Sequence, residues 1–484
     1  MTPDLPLAEP IPYRDPLDLL AAWGGTPYAL LFDSADPADE RARYSYLCLD
    51  PVETCAVPID GGTEAGPLAW LDARLRRGRQ ASRPDLPPFQ GGAAGLLGYE
   101  LGGHLETLPA PAAHGADHPV AALGIYDVVA AFDHTHQRAW LIATGYPETD
   151  PAARRARAER RLAALRPHLT EPGAMPAPAA LAPLAWESDV AGPAYRDKVA
   201  RAIQYIHAGD VFQVNLSREL VAPRPSGLRA FALYRSMRRR TLAPFSAYMA
   251  LPDGRAVCSF SPERFLQADA EGHVETRPIK GTRPRAAEPA EDARLAAELA
   301  GSAKDRAENL MIVDLLRNDL ARVCRVGSVH VPTLCGLESF RAVHHLVSVV
   351  RGELAVGRTP VDLISAGFPG GSITGAPKIR AMEIIRELEG RRRGPYCGSL
   401  CWLGFDGAMD SSILIRTMTV EPAAVRYGVG GGVVADSDPE AEWRETEVKA
   451  AAFMAAEDAG AGDTETDAET DPDTHVRGSQ RHAS

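Results

Sequence analysis

The chain has 484 residues, 45% of them hydrophobic and 24% charged, with a net charge of -12 at pH 7. That length supports a large core, in two domains or one composite fold. The acidic balance argues against wholesale binding of nucleic acid or an anionic membrane, and no apolar run is long enough to span a bilayer. Short apolar runs between turn signals predict strands at 28–32, 92–99 and 120–132. An Arg/Ala-rich stretch after Asp150 predicts a helix ending near 165. The Pro/Ala-rich sequence that follows marks a domain boundary. Beyond it, Val199, Ala202 and Ile206 give an apolar stripe to a helix at 194–208, which Gly209 stops. Strands follow at 211–216, 247–251, 257–260, 398–405, 413–420 and 425–429, with helices at 303–322, 377–389 and 438–456. Several strand connections are too short for a crossover helix, so the sheets should be antiparallel. The fold class is α+β, with large antiparallel sheets packed together and helices on the outside.

This reading divides the chain into an N-terminal domain (1–165), a linker (166–190), a second domain (191–456) and a tail (457–484). The tail is rich in Asp, Glu, Thr and Gly and is expected to be disordered. The seven cysteines show no CxxC spacing, and the N-terminus lacks a basic segment followed by an apolar one. A reducing compartment and no secretory signal are therefore expected, which places the protein in the cytoplasm.

Lys and Arg together number 52, yet only five are lysine: Lys198, Lys280, Lys304, Lys378 and Lys449. In so arginine-biased a chain a remaining lysine is either an accident of the surface or a place where guanidinium will not serve. An amine can lose its proton and act as nucleophile or base, whereas guanidinium stays charged. Lys280 lies between Pro278-Ile279 and Gly281-Thr282, near Arg277 and Arg283. Those neighbours and partial burial should lower its pKa.

Two acidic pairs stand out. Asp305 and Glu308 are three apart on one predicted helix, and Glu442 and Glu445 on another, so each pair shares a helix face. If the faces meet, they suit a hard ion such as Mg²⁺, with Lys449 neutralising part of the site or reaching the substrate. Otherwise the acids simply complement the helix dipoles. Ser372 to Pro377 leads into a helix whose free N–H groups, with Thr374 and Gly375, would cradle a carboxylate. Gly430, Gly431 and Gly432 either turn the chain or let backbone approach a ligand. Arg416 sits in an apolar run and needs a partner, either a substrate carboxylate or a buried acid. His344 and His345 are, taken singly, of the kind more often packed or solvated than catalytic, and Glu263 is a candidate general acid if burial raises its pKa.

These segments resemble the chorismate-utilising enzymes, closely over 195–452 and more loosely over the first 150 residues. The motifs are SPERF (261–265), RPIKGTRPR (277–285), AENLMIVDLLRNDLARV (307–323), HHLVS (344–348), GGSITGAPKIRAMEII (370–385), DSSILIRT (410–417) and GGGVVADSDPEAEW (430–443). Within the family, isochorismate- and salicylate-forming members place a water-activating lysine where this chain has Gln213. Anthranilate-forming members usually read Pro-Ile-Ala-Gly-Thr where this chain has Lys280. The lysine form is similar to the aminodeoxychorismate branch.

The resemblance implies the family's fold, a first domain like that of anthranilate synthase component I, and amination of chorismate at C4 to 4-amino-4-deoxychorismate, towards 4-aminobenzoate and folate. Mg²⁺ on Glu308 and Glu445, with Asp305 and Glu442 in support, would bind the ring carboxylate. Thr374, Gly375 and Gly430 to Gly432 would hold carboxylates, and Arg416 and Tyr396 would face the enolpyruvyl group. Gln213, Thr282 and Lys449 complete the substrate-binding set. Lys280 would attack C2 while Glu263 protonates the departing C4 hydroxyl, His345 would position the substrate, and ammonia would expel the lysine. The chain has no Gly-x-Cys-x-Gly elbow, so a separate glutamine amidotransferase subunit is the expected ammonia source. The alternatives are an anthranilate synthase large subunit and a non-catalytic tryptophan-binding paralogue, although the N-terminal Leu30-Leu31-Phe32-Asp33-Ser34 departs by Asp33 from the tryptophan-inhibited pattern.

Overall fold

The computed structural model describes residues 5–36, 39–59, 61, 66–170, 183–340 and 343–458. The apolar run predicted as one strand at 120–132 is broken at Asp127, whose buried carboxylate is paired with Arg161 at 3.0 Å and Arg157 at 3.4 Å. Strand Ala121–Tyr126 enters one sheet and Val128–Asp133 the other. The run at 413–420 breaks in the same way. Met409–Ile413 and Thr417–Val420 lie in different sheets, and Arg416 between them turns the chain with a φ of 50°. A third passage joins Ala256–Ser261 to Arg264–Ala268 through Pro262 and Glu263.

The larger sheet has twelve strands. Its order runs Leu7–Ile11, Arg138–Ala143, Val128–Asp133, Tyr44–Cys48, Leu30–Asp33, Phe245–Ala250, Ala256–Ser261, Thr417–Val420, Ala424–Val433, Gln213–Pro223 and Gly375–Ala376, with Glu187–Ser188 also on Gln213–Pro223. The second has ten strands. Its order runs Ile279–Pro284, Val343–Glu353, His273–Thr276, Arg264–Ala268, Met409–Ile413, Ser399–Gly404, Gly92–Leu97, Ala121–Tyr126 and Glu53–Val57, with His330–Ser339 also on Val343–Glu353. Every strand pairing in both is antiparallel, and the parallel bridge of Gly115 to Arg392 lies outside these strands. The segment 166–190 separates the halves in sequence but not in space, because both sheets take strands from either side of it.

Apolar side chains facing inward from both sheets form the central core. Leu30, Met249 and Val257 from one sheet meet Leu96, Leu400 and Trp402 from the other. Helices close the outer faces, with Pro151–Thr170 and Ala230–Arg238 over the larger sheet and Ala303–Ala321, Pro360–Gly367 and Lys378–Glu389 over the second core. Ile312, Val313, Leu316 and Leu320 bury one face of Ala303–Ala321. Ser302 caps that helix, its hydroxyl accepting from the Asp305 N–H at 3.2 Å.

Several boundaries differ from the sequence reading. The helix expected to stop near 165 runs as Pro151–Thr170 with Pro167 inside it. Pro377 is extended, so the next helix begins at Lys378. The glycines at 430–432 do not form a turn but lie within strand Ala424–Val433, opposite Asn215 to Ser217. The tail expected to be disordered, 457–484, lies outside the described residues from 459 onwards.

Candidate active site at the seam between the sheets

Two of the passages between sheets run side by side. Ile413 N–H donates to the Glu263 carbonyl at 3.1 Å, Ser261 hydroxyl to the Ile413 carbonyl at 2.6 Å, and Phe260 N–H to the Arg416 carbonyl at 3.0 Å. Strand pairing stops there, and polar side chains enter an otherwise apolar seam. The Glu263 side chain is buried, and burial raises its carboxyl pKa, although hydrogen bonding to the Ser372 side chain and the charge of Lys280 oppose the shift.

Lys280, on Ile279–Pro284, reaches the same point from the second sheet. Its Nζ donates to the Ser372 carbonyl at 3.1 Å. Burial lowers the pKa of this half-buried amine, Glu263 and Glu308 push it back, and Lys449 lowers it further. The flanking arginines, expected from sequence to depress it, are engaged elsewhere: Arg277 with Glu338, and Arg283 with Glu298 at 2.8 Å. Ser372 thus touches both members of the candidate acid–nucleophile pair, one through its side chain and the other through its carbonyl.

Helices Ala303–Ala321 and Pro439–Asp458 bring the acidic pairs to this neighbourhood. Glu308 is half-buried, and its pKa is raised by burial and by Asp305 and Glu445, against Lys280 and Lys304. Glu442 is buried and accepts from the Ser437 hydroxyl at 2.7 Å, while burial and Glu445 raise its pKa. Glu445 is exposed and pairs with Lys449 at 2.6 Å, and Lys449 also donates to the Gly430 carbonyl at 2.9 Å. A Cβ on Gly431 would stand 3.2 Å from Glu442 Oε2 and 3.3 Å from Glu445 Oε1, so the missing side chain is what lets these carboxylates approach the strand. Asp305 packs on Gly281, whose φ is +80°, and pairs with Arg283 at 3.4 Å.

Carboxylate oxygens brought together in this way, with Glu308 and Glu442 raised in proton affinity, fit a hard divalent cation. No three of the four acids place their oxygens within 4.8 Å of one another. Among the described residues only Asp269, Glu271 and His273, on an exposed turn, meet that spacing. The arrangement suits an ion held by one or two carboxylates and completed by water and an anionic substrate.

Gln213 is fully buried, and neither amide atom has a partner. A Cβ on Gly432 would lie 2.7 Å from Gln213 Nε2. An unmet buried amide costs about 1–3 kcal/mol, which a bound polar group would recover. Thr282 hydroxyl and His345 Nδ1 are 2.9 Å apart, and Phe340 packs on the His345 ring. Burial, Arg416 and Arg41 push the His345 pKa down to about 4, so the imidazole is neutral near pH 7. Arg416 is exposed at the passage between sheets, not within an apolar strand as its sequence context suggested. Tyr396 is buried, and its ring packs where a Cβ on Gly428 would be.

The expected carboxylate cradle at Thr374 and Gly375 is different in detail. Thr374 hydroxyl donates to the Gly370 carbonyl at 2.9 Å, and Gly375 pairs with Val214 in a short strand, so neither residue stands at the helix N-terminus. In the N-terminal half, Ser34 N–H donates to Ser45 Oγ at 2.9 Å and its hydroxyl to the Tyr44 carbonyl, so both its donors are satisfied within the chain. Sequence reasoning missed Asn215, whose Nδ2 donates to the Ser372 carbonyl at 3.2 Å, and the buried ion pair of Lys378 with Asp319 at 2.8 Å. That pair ties the helix of the acids to the helix after Ser372, and the rarity of lysine was its only signal.

The chorismate binding enzyme family model matches residues 28–455, and the chain belongs to that family. Aminodeoxychorismate synthase component 1 of Salmonella typhimurium is 43% identical over 431 residues, covering 87% of this chain and 91% of the relative. Anthranilate synthase component 1 of Streptomyces coelicolor is 42% identical over 433 residues, covering 88% and 83%. Among solved structures, anthranilate synthase component I from Streptococcus pneumoniae superposes with a TM-score of 0.71 at 30% identity, covering 85% of this chain and 92% of that one. The fold is therefore that of the chorismate-utilising enzymes, as the motifs implied.

Gly431→Ala is expected to weaken Mg²⁺ binding about tenfold in calorimetric titration, with an unchanged thermal midpoint, because the methyl crowds two carboxylates. An unaltered Mg²⁺ affinity would remove Glu442 and Glu445 from any ion site.

Proposed function

We propose that the protein aminates chorismate at C4 to give 4-amino-4-deoxychorismate, in the direction of 4-aminobenzoate and folate. Aminodeoxychorismate synthase component 1 relatives reach 47% identity, against 42% and 43% for anthranilate synthase relatives, which favours this reading, and Lys280 adds to it. The observation that carries the reading is this half-buried amine, held at the Ser372 carbonyl beside the buried Glu263 carboxyl.

A free lysine is neutral in only about one molecule in a thousand near pH 7. Burial shifts Lys280 towards the neutral amine and Glu263 towards the protonated acid. Both shifts favour the pair needed for displacement. The Lys280 Nζ lone pair forms a bond to C2, the ring double bonds shift, and the C4–O bond breaks with a proton from Glu263, releasing water. Ammonia then bonds to C4, the double bonds return and the C2–N bond breaks with its electron pair going to the still-protonated Lys280 nitrogen, regenerating the neutral amine, while the new C4 ammonium returns a proton to the Glu263 carboxylate. Neutral His345 with Thr282 would orient the substrate. Arg416 and Tyr396 would receive the enolpyruvyl end, with the Gly430–Gly432 strand and the Gln213 amide along the ring. Glu308 and Glu445, with Asp305 and Glu442 in support, would hold Mg²⁺, which when bound neutralises the ring carboxylate.

The relatives' designation as component 1 supports a second subunit, which on this reading is a glutamine amidotransferase delivering ammonia. No helix among the described residues is long and apolar enough to cross a membrane.

Incubation with chorismate, Mg²⁺ and ammonium should yield 4-amino-4-deoxychorismate by mass spectrometry, and Lys280→Ala should abolish it. Anthranilate from the wild type, or undiminished product from Lys280→Ala, would overturn the reading. The pH profile should be bell-shaped, rising as Lys280 loses its proton and falling as Glu263 loses its own. Glu263→Gln should lower the rate about a hundredfold and leave only the rising limb. A bell retained in that variant would remove Glu263 as the acid.

A further inference from the structure

Arg393 is almost wholly buried just beyond the end of helix Lys378–Glu389 and is not part of the proposed reaction. Its guanidinium forms a fork on Glu389, with Nε to Oε2 at 3.0 Å and Nη2 to Oε1 at 2.6 Å, and its Cζ lies 4.7 Å from the Tyr99 ring centroid. The remaining donors go to two backbone carbonyls: Nη1 to Ile373 at 3.1 Å and Nη2 to Asn215 at 2.8 Å. Ile373 lies between Ser372 and Thr374. Asn215 joins the same loop twice more, its N–H donating to the Thr374 carbonyl at 2.8 Å and its Nδ2 to the Ser372 carbonyl at 3.2 Å. The Ser372–Thr374 loop is thus held at consecutive carbonyls, by Arg393 at Ile373 and by Asn215 on either side. On its other side the Ser372 carbonyl accepts from Lys280.

We propose that Arg393 and Asn215 are positioning residues that fix the Ser372 carbonyl and hydroxyl, and through them the separation of Lys280 from Glu263. The inference rests on the reading of Lys280 as nucleophile and Glu263 as acid. It is specific to the loop, since Arg391 offers a control. Arg391 is also buried, pairs with Asp189 at 2.9 Å and donates to the Ser217 hydroxyl at 2.8 Å, but touches no carbonyl of 372–374. If the buried ions serve only stability, the two arginines should respond alike. If Arg393 sets the loop, its loss should appear in turnover and not in substrate affinity, because a displacement well under an ångström matters to bond formation more than to binding.

The test measures kcat and the KM for chorismate, with Mg²⁺ and saturating ammonium, in Arg393→Lys, Asn215→Ala and Arg391→Lys, alongside thermal midpoints and Lys280→Ala. A lysine at 393 keeps the charge but cannot serve the carboxylate and two carbonyls together. The expected result is a fall in kcat of about tenfold or more for Arg393→Lys and Asn215→Ala, with KM within about twofold, and near wild-type kcat for Arg391→Lys. Asn215→Ala decides the matter if Arg393→Lys does not fold. Wild-type kcat in Asn215→Ala and in folded Arg393→Lys, or an equal loss in Arg391→Lys, would overturn the inference. An active Lys280→Ala would instead overturn the reading on which it rests, so the two failures are distinguishable.

Discussion

One backbone position, Ser372, sets the relation between the two groups on which the proposed reaction depends. Lys280 arrives on an edge strand of the smaller sheet, and Glu263 sits where the chain leaves the larger sheet for the smaller. Nothing in the sequence distance between them requires that they meet. They do so because the Ser372 carbonyl takes the amine while its side chain meets the carboxyl. Burial then acts in opposite directions on their proton affinities. Placed in water, the same pair would be an ordinary ammonium and carboxylate.

The architecture explains why such groups occur in the interior at all. A strand that stays in one sheet hands its backbone polar groups to its neighbours and offers few openings for chemistry. Where the chain passes between sheets that ladder lapses, and Asp127, Glu263 and Arg416 each fall at such a passage. At Asp127 the opening is closed by arginines, so it is structural. At Glu263 and Arg416 the two passages run side by side, and helices carrying four acids pack nearby. Glycine at 431 completes the arrangement by leaving space for carboxylates against a strand.

Much of this was legible in the sequence, and the failures have physical causes. The helices bearing Glu308 and Glu445 fell within two residues of where the sequence reading put them. The strands at 120–132 and 413–420 were read as continuous because hydrophobic periodicity does not register a change of sheet. The glycines at 430–432 read either as a turn or as a place where backbone approaches a ligand, yet they are strand residues whose missing side chains leave room for the neighbouring helix and Gln213. The lowering of the Lys280 pKa was assigned to burial, which holds, and also to Arg277 and Arg283, three residues away on either side, whose side chains point instead to Glu338 and Glu298. Arg393 was invisible for the same reason: a run of three arginines after a helix reads as surface, and only the fold reveals the carbonyls it serves.

The central claim is that a lysine amine, held half-buried at the seam between two sheets, becomes bonded to the substrate ring during turnover. It is tested most directly by quenching the enzyme in acid while it processes chorismate without ammonia, then measuring the intact protein mass and mapping the modified peptide. The account predicts a protein heavier by one chorismate less one water, with the added mass on Lys280. An unmodified chain from enzyme that is active once ammonium is added, or an adduct on any other residue, would contradict it.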